Sequence, residues 1–232
     1  MSRIYLLDNI RGLAFLFMII HHIFYFYDVS NDYSTKLSQN PLVNMSGHIA
    51  RNMFILLAGY STYMAYKKYT EKNKSPLIER LKRSIEILGH AMIITFVTYM
   101  LYPDIFIRFG ILHFIALGTI ISTILAPYKI VSIIVLVLCI ILKYPSVNSF
   151  IDTITGATSQ FNAMDWFPLK SALPILLGGL IIGQHLDINK LNGGIFKNKI
   201  PFISYLGENS LNLYTIHVVG LILFFTFIKK FI

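Results

Sequence analysis

The chain has 232 residues, of which 55% are hydrophobic and 13% are charged, and its formal net charge is +9. Soluble domains carry roughly 45–50% apolar and about 25% charged residues, so the composition excludes an ordinary soluble domain and indicates a membrane protein. In such a protein a positive balance concerns orientation in the bilayer, and no nucleic-acid partner is predicted from it. The single cysteine, Cys139, excludes a disulfide within the chain.

Long apolar runs recur along the chain and predict about seven membrane spans. The spans are predicted at residues 4–27, 48–66, 84–101, 109–126, 129–143, 168–185 and 210–228. The predicted fold class is therefore all-α, a polytopic transmembrane helix bundle that forms a single domain over residues 1–232. The fifth run is short for a span and is expected to be tilted or partly enclosed by the other helices.

Lysine and arginine lie mostly in the segments that would be cytoplasmic if the N-terminus is inside. The basic segment 67–83, predicted to be an inner loop, decides this orientation, because positive residues are retained on the cytoplasmic side. An odd number of spans then places the C-terminus outside. The same segment can attract anionic lipid or a phosphate-rich cofactor, although setting the topology is the commoner role.

The first predicted span carries four ionisable residues within an apolar helix, namely Asp8, Arg11, His21 and His22. Ionisable groups in a span are costly and mark functional sites, although a helix-start ion pair with two packed histidines is the plain alternative. At about 100° per residue, Asp8, Arg11 and His22 fall on one helix face, and His21 points elsewhere. We therefore predict a polar stripe with an ion pair near one end and an imidazole roughly 16 Å away from Arg11.

Ionisable residues from separate segments share one level near the predicted outer face. They are His22, His48, Arg51, Arg108, His113 and Asp165. If these segments converge, the imidazoles suit general-base catalysis on a hydroxyl or amine, and the guanidinium groups suit an oxyanion. Each residue taken alone also fits a structural role, because interfacial arginines snorkel and interfacial histidines pack.

The last predicted span begins near Ser210, and its spacing places Ser210, Tyr214 and His217 on one face. That stripe is expected to point into the bundle or a cavity. In the sixth span, the pair Gly178–Gly179 and Gly183 predict close helix packing.

Familiar motifs for metal, nucleotide and serine chemistry are missing from the sequence. The adjacent His21 and His22 cannot share a helix face and no HxxxH or HxxE pair occurs, so no metal site is predicted. There is also no GxSxG serine, P-loop or dinucleotide fingerprint.

Several motifs, in order and along nearly the whole chain, together resemble the catalytic membrane domain of the heparan-α-glucosaminide N-acetyltransferase family. They are Leu7-Asp8-Asn9-Ile10-Arg11-Gly12, His22 with Asp28, the run from Phe54 to Gly59, the run from Phe106 to His113, Asp165 to Pro168 with Pro174, and Leu206 to Ser210 with His217. The Arg-Phe-Gly-Ile-Leu-His run and the Asp-x-x-Arg-Gly start carry the resemblance jointly, because other membrane acyltransferases share similar starts.

This resemblance implies acetyl transfer across a cell (plasma or inner) membrane. Acetyl-CoA would be used from the cytosolic side, and an amino sugar or other glycan- or lipid-linked acceptor would receive the acetyl group at the outer face. The expected partners are the lipid bilayer, acetyl-CoA and a sugar or glycolipid acceptor, with a homodimer left open.

The resemblance also implies a catalytic histidine near the outer face. The family's local motif for that histidine, in the loop after the first span, is missing, and His22 and His48 are the nearest candidates, with His113 third. Arg108, Arg51 and Asp165 complete the predicted catalytic set. Cofactor binding is assigned to five residues: Asp8, Arg11, Ser210, Tyr214 and His217.

Two other classes of function fit the same residues. A small transporter or flippase for a sugar- or lipid-linked substrate would use intramembrane charges as a translocation path. A structural subunit that needs a partner for stability is the third alternative. Acetyl-CoA separates them, because a ligand that binds the folded state stabilises it by mass action.

Overall fold

The computed structural model describes residues 5–143, 149–157, 162–186 and 198–228. Nine α-helices make up most of these residues: α1 Tyr5–Ser30, α2 Pro41–Glu71, α3 Pro76–Leu101, α4 Ile111–Leu125, α5 Lys129–Ile141, α6 Ser149–Thr155, α7 Leu169–His185, α8 Pro201–Glu208 and α9 Ser210–Ile228. A short 3-10 helix, Leu37–Gln39, precedes α2. The predicted all-helical class is confirmed for the described part of the chain.

Among the described residues, three helices are long and apolar enough to cross a membrane, namely α1, α3 and α9. The helices α4 and α5 are apolar but shorter. At the α-helical rise, the 13 residues of α5 extend about 20 Å, which is less than the roughly 30 Å of bilayer hydrocarbon. These helices identify a membrane protein, whereas the seven spans and the cytoplasmic N-terminus stay predictions.

The basic segment 67–83, predicted as a loop, is mostly helical, because α2 continues to Glu71 and α3 begins at Pro76. Proline suits the first turn of a helix, where its missing N–H removes no hydrogen bond. Two ion pairs then stabilise successive turns of α3: Lys82–Glu79 at 3.0 Å and Arg83–Glu86 at 2.8 Å. The first turns of α3 were not predicted as helix, because their charged residues interrupt the apolar pattern.

The chain divides into two compact units, and the division falls inside α2, between Phe54 and Ile55. The terminal unit comprises residues 2–54 and 192–232, and therefore holds α1, the first part of α2, α8 and α9. The central unit comprises residues 55–191, with the rest of α2 and the helices α3 to α7. The single domain over residues 1–232 stays a prediction.

In the terminal unit, α1 and α8 touch backbone to backbone at two glycines. A Cβ placed on Gly12 would overlap the carbonyl oxygen of Ile203. A Cβ placed on Gly207 would likewise overlap the carbonyl oxygen of Asp8. Only glycine permits so close a crossing, and small residues are the usual means by which membrane helices approach each other.

Polar side chains hold the same crossing together. The Asn9 amide group donates to the carbonyl oxygen of Asn198 at 3.0 Å and accepts from the Ser204 hydroxyl at 2.6 Å. Lys199, just before α8, also forms an ion pair at 3.2 Å with Glu208, the last residue of α8. Because α9 starts only one residue after α8 ends, these contacts also place the beginning of α9.

In the central unit, the part of α2 after Phe54 packs against α7 in the same manner. A Cβ on Gly179 would overlap the carbonyl oxygen of Leu56, and a Cβ on Gly59 would overlap backbone in α7. Gly183 also faces α2, whereas a Cβ on Gly178 would meet nothing within 4 Å. The predicted close packing is therefore confirmed at Gly179 and Gly183 and wrong at Gly178.

Replacing Gly207 by Ala is expected to destabilise the protein, because the added methyl group collides with the backbone of Asp8. Overpacking costs about 1–3 kcal/mol, and more where a backbone must move. Gly220→Ala is the matched control, since nothing lies within 4 Å of a Cβ at that position in α9. Thermal unfolding in detergent should show a lowered midpoint for G207A and an unchanged or slightly raised one for G220A. Equal midpoints would contradict the close crossing.

Candidate functional site: a histidine pair between α1 and α9

Two histidines that are distant in the sequence meet in the terminal unit. His22 Nδ1 lies 2.8 Å from His217 Nε2. The two rings stack with their centroids 5.1 Å apart and their planes inclined by 16°. His217 Nδ1 in turn lies 3.0 Å from the carbonyl oxygen of Leu213, one turn earlier in α9. A hydrogen-bonded chain therefore runs from a backbone carbonyl through two imidazoles.

Aromatic side chains surround this pair. Tyr214 presents its edge to His22 at 6.0 Å and to His217 at 5.4 Å. Phe15 meets the His217 ring edge-on at 5.1 Å, and Phe26 lies 5.4 Å from the His22 ring. In such apolar surroundings a hydrogen bond between the rings is stronger than in water, and an unpaired ring nitrogen is more costly.

The face of α9 predicted from residue spacing is confirmed for Tyr214 and His217, which both contact His22. Ser210 is the first residue of α9 and is half-buried. Spacing alone did not identify the partner of this face, because the two histidines come from opposite ends of the chain.

His21 points away from the pair, as the helical spacing predicts, and packs on the start of α2. Its Nδ1 lies 3.2 Å from the carbonyl oxygen of Val43, and Gly47 leaves room for the ring, since a Cβ there would lie 2.6 Å from it. The rings of His21 and His22 have centroids 5.9 Å apart. His21 thus contacts both His22 and the start of α2, in which His48 and Arg51 follow Gly47.

Near the other end of α1, Asp8 and Arg11 form the predicted ion pair at 3.0 Å. The Asp8 carboxylate is buried, and 27% of the Arg11 side chain is exposed. The backbone carbonyl oxygen of Asp8 lies against Gly207 of α8. The pair is therefore packed into the crossing of α1 and α8.

Asp28, close to the end of α1, holds the segment that follows the helix. Its carboxylate accepts from the Leu37 N–H at 2.9 Å and from the N–H and hydroxyl of Ser38 at 2.7 and 2.6 Å. The Thr35 hydroxyl also donates to it. The side chain is fully buried, and these donors compensate the cost of burying a charge. This anchoring role of Asp28 was not predicted from the sequence, where the turn-forming residues after it were the available signal.

In the central unit, Asp165 and His113 hold the start of α4. Asp165 Oδ2 accepts from the N–H of Ile111 at 3.1 Å, where a negative charge suits the positive end of the helix. His113 Nδ1 accepts from the N–H of Gly110 at 3.3 Å, and its Nε2 lies 3.3 Å from the Thr95 hydroxyl. Both ring nitrogens of His113 therefore take part in local structure.

Arg108 belongs to the same local structure. Backbone hydrogen bonds from Met164 to Ile105 at 2.8 Å and from Phe167 to Phe109 at 3.0 Å join its segment to the one that carries Asp165. The Arg108 side chain is exposed, and its guanidinium carbon lies 4.7 Å from the centroid of the neighbouring Phe106 ring.

The structure therefore places the predicted site residues in two groups. The terminal unit holds His22, His48, Arg51, Asp8, Arg11, Ser210, Tyr214 and His217, and the central unit holds Arg108, His113 and Asp165. Convergence of both groups into one outer site stays a prediction. Within the described ranges, no cluster of three His, Cys, Asp or Glu side chains is arranged to hold a metal ion.

The membrane-type helices and the ionisable clusters inside them define a helical membrane protein. The chain matches the family model described as heparan-alpha-glucosaminide N-acetyltransferase, catalytic, over residues 3–219, and it therefore belongs to that family. Neither the curated proteins nor the solved structures gave a match. Family membership confirms the resemblance noted in the sequence and indicates a membrane acyltransferase.

Replacing Asp28 by Ala is expected to release the segment 35–38, because the N–H groups of Leu37 and Ser38 lose their buried acceptor. Loss of such charged hydrogen bonds costs about 3 kcal/mol, which corresponds to roughly a 100-fold rise in the open population. Trypsin cleavage after Lys36, followed in detergent by mass spectrometry, should accelerate accordingly. Asp104→Ala, which alters an exposed aspartate of the central unit, is the control. An unchanged cleavage rate in D28A would refute the anchoring role.

Proposed function

We propose that this chain is a transmembrane acetyltransferase of the cell membrane. It moves an acetyl group from cytosolic acetyl-CoA to an amino-sugar or other glycan- or lipid-linked acceptor at the outer face. The single observation that carries the proposal, beside the family match, is the hydrogen-bonded His22–His217 pair enclosed by aromatic rings. An imidazole held in this way suits proton or acyl transfer better than it suits simple packing.

In this proposal His22 acts on the acceptor in one of two ways. As a base, it takes the proton of the acceptor nitrogen or oxygen while that atom attacks the thioester carbon; the C–S bond breaks, and the departing thiolate receives the proton. As a carrier, a ring nitrogen of His22 bonds to the acetyl carbon while the C–S bond breaks and the coenzyme leaves as a thiolate. The acceptor nitrogen or oxygen then bonds to the acetyl carbon as the bond from that carbon to the ring breaks, and the freed ring takes the acceptor's proton and passes it to the thiolate. The overall reaction is the same in both cases.

The other outer residues support this chemistry. Arg51 stabilises the negative charge that develops on the carbonyl oxygen, and His48 is the second candidate for the base. Both residues belong to α2, whose start packs against His21, the neighbour of His22. His113 ranks third, since both of its ring nitrogens hold the start of α4.

Arg108 and Asp165 are proposed site residues of the central unit. Arg108 offers an exposed cation to the acceptor or to the developing oxyanion. Asp165 holds the segment that presents Arg108, through its bond to the N–H of Ile111.

The coenzyme enters from the opposite side in the proposed topology, with the N-terminus cytoplasmic and seven spans. Arg11, held by Asp8, is the proposed partner of its phosphates in the terminal unit, and the basic segment 67–83 is the proposed partner in the central unit. The pantetheine arm then follows the polar stripe of α1 over roughly 16 Å to His22. Ser210 and Tyr214 line the same path from α9.

Replacing His22 by Ala is expected to lower acetyl transfer by about 10²- to 10⁴-fold, the usual contribution of a positioned general base. The assay uses sealed vesicles with radiolabelled acetyl-CoA on the side of residues 67–83 and with glucosamine and total membrane lipid on the other. His185→Ala is the control, because this exposed histidine ends α7. Full activity of H22A would exclude His22 and transfer the assignment to His48.

Omitting the acceptor separates the two routes. Label that stays on the protein after denaturation, and is lost in H22A, identifies His22 as the carrier. Transfer without protein labelling identifies it as the base.

Acetyl-CoA is expected to raise the thermal unfolding midpoint of the protein, because it binds the folded state. At 100 times the dissociation constant, mass action contributes about 2.7 kcal/mol. Arg11→Gln should reduce the shift produced by acetyl-CoA, whereas Lys129→Gln, at the exposed start of α5, should leave it unchanged. A protein with neither transfer activity nor a thermal response to acetyl-CoA would favour the transporter or flippase alternative.

A further inference from the structure

We infer that His217 is a positioning residue for the reaction, which selects the ring nitrogen of His22 that reacts; this inference rests on the proposed function. From the sequence, His217 is one of the predicted cofactor-binding residues. The geometry instead connects it to His22 on one side and to a backbone carbonyl on the other.

The carbonyl oxygen of Leu213 determines which nitrogen of His217 carries the proton. A carbonyl oxygen only accepts hydrogen bonds, so the Leu213 oxygen at 3.0 Å requires a proton on His217 Nδ1. A neutral imidazole carries one proton, so His217 Nε2 is then an acceptor.

The hydrogen bond to His217 likewise determines which nitrogen of His22 carries its proton. Because His217 Nε2 accepts, His22 Nδ1 at 2.8 Å must donate. Neutral His22 is therefore protonated at Nδ1, and Nε2 carries its lone pair. The nitrogen that can take a proton or an acetyl group is thus Nε2.

The alternative arrangement requires a charged ring. If His22 Nδ1 accepted, both nitrogens of His217 would have to donate, which is possible only for imidazolium. Phe15 and Tyr214 meet the His217 ring edge-on, and no described carboxylate is bonded to it. Burying an uncompensated cation there costs more than burying two neutral rings that satisfy each other.

This arrangement assists the transition state. When His22 Nε2 takes a proton or bonds to the acetyl carbon, the ring becomes cationic. Its Nδ1–H then donates a charge-assisted hydrogen bond to His217 Nε2, which is stronger than the neutral bond that preceded it. An interaction that strengthens only as charge develops accelerates the reaction without tightening the binding of substrate.

The spectroscopic test uses the full-length protein labelled with ¹⁵N-histidine in lipid. The His22 signals are identified by their loss in the H22A variant. We expect a protonated Nδ1 and an unprotonated Nε2 on His22 of the wild type. A wild-type His22 protonated at Nε2 overturns the inference, whether or not the protein transfers acetyl groups.

The kinetic test compares two substitutions of His217. His217→Leu removes the acceptor and should lower kcat by roughly 10²- to 10⁴-fold. It should leave KM for acetyl-CoA unchanged, whereas a cofactor-binding role would raise KM. His217→Gln places an amide oxygen near the position of Nε2 and should restore part of kcat together with the wild-type tautomer of His22. Thr215→Val, at a buried neighbour in α9 whose hydroxyl donates to the carbonyl oxygen of Leu211 in the same helix, is the control.

A failure of the positioning role of His217 gives a different result from a failure of the proposed acetyltransferase function. Unchanged kcat in H217L overturns the positioning role, and so does a raised KM with unchanged kcat. A wild type that shows the expected tautomer but transfers no acetyl group refutes the proposed function alone. If H217L does not fold, the wild-type spectrum and the H217Q variant still decide the question.

Discussion

The backbone contact between α1 and α8 is the constraint on which the terminal unit depends. Gly12 and Gly207 remove the side chains that would hold the two helices apart, and Asn9 then bonds across the crossing. Because only Asn209 separates α8 from α9, the position of α8 sets where α9 begins. Two turns into α9, His217 lies against His22. The small residues of two motifs at opposite ends of the chain thus bring the histidines together.

Each ionisable group of α1 is compensated by a different kind of partner. Asp8 has an arginine one turn away, Asp28 has amides and hydroxyls of the following segment, and His22 has a second imidazole. A low dielectric makes such compensation necessary, since an unsatisfied polar group in the interior is costly. The Asp8–Arg11 ion pair and the hydrogen-bonded Asp28 carboxylate each have a structural role. The histidine pair differs because a chain of two neutral rings can leave one nitrogen for chemistry.

The hydrogen bonds of the histidines explain why His22 ranks above His113 as the catalytic candidate. His113 accepts from a backbone N–H with one nitrogen and meets the Thr95 hydroxyl with the other. His22 uses Nδ1 for its partner His217, and its ring lies near that of His21, whose own Nδ1 faces the carbonyl oxygen of Val43 in α2. From the sequence, His22 and His113 were predicted at the same depth in the membrane. Their hydrogen bonds distinguish their roles.

Local and apolar features were predictable from the sequence. Composition determined the membrane class, the last span was predicted at its observed bounds of 210–228, and the Asp8–Arg11 pair follows from a spacing of three residues. Two short helices, α6 and α8 with 7 and 8 residues, were not predicted because fewer than three turns give too little periodicity. The helical start of α3 was taken for a loop because its residues are charged.

The sequence by itself determined which residues share a helix face, since that follows from the fixed rotation per residue. It therefore placed Tyr214 with His217, and Arg11 with His22. Only the tertiary structure decided that these two faces meet, because His22 and His217 are separated by 195 positions and no local rule relates them. The contact depends on a helix crossing that two distant glycines permit, and the protonation of His22 depends in turn on that contact.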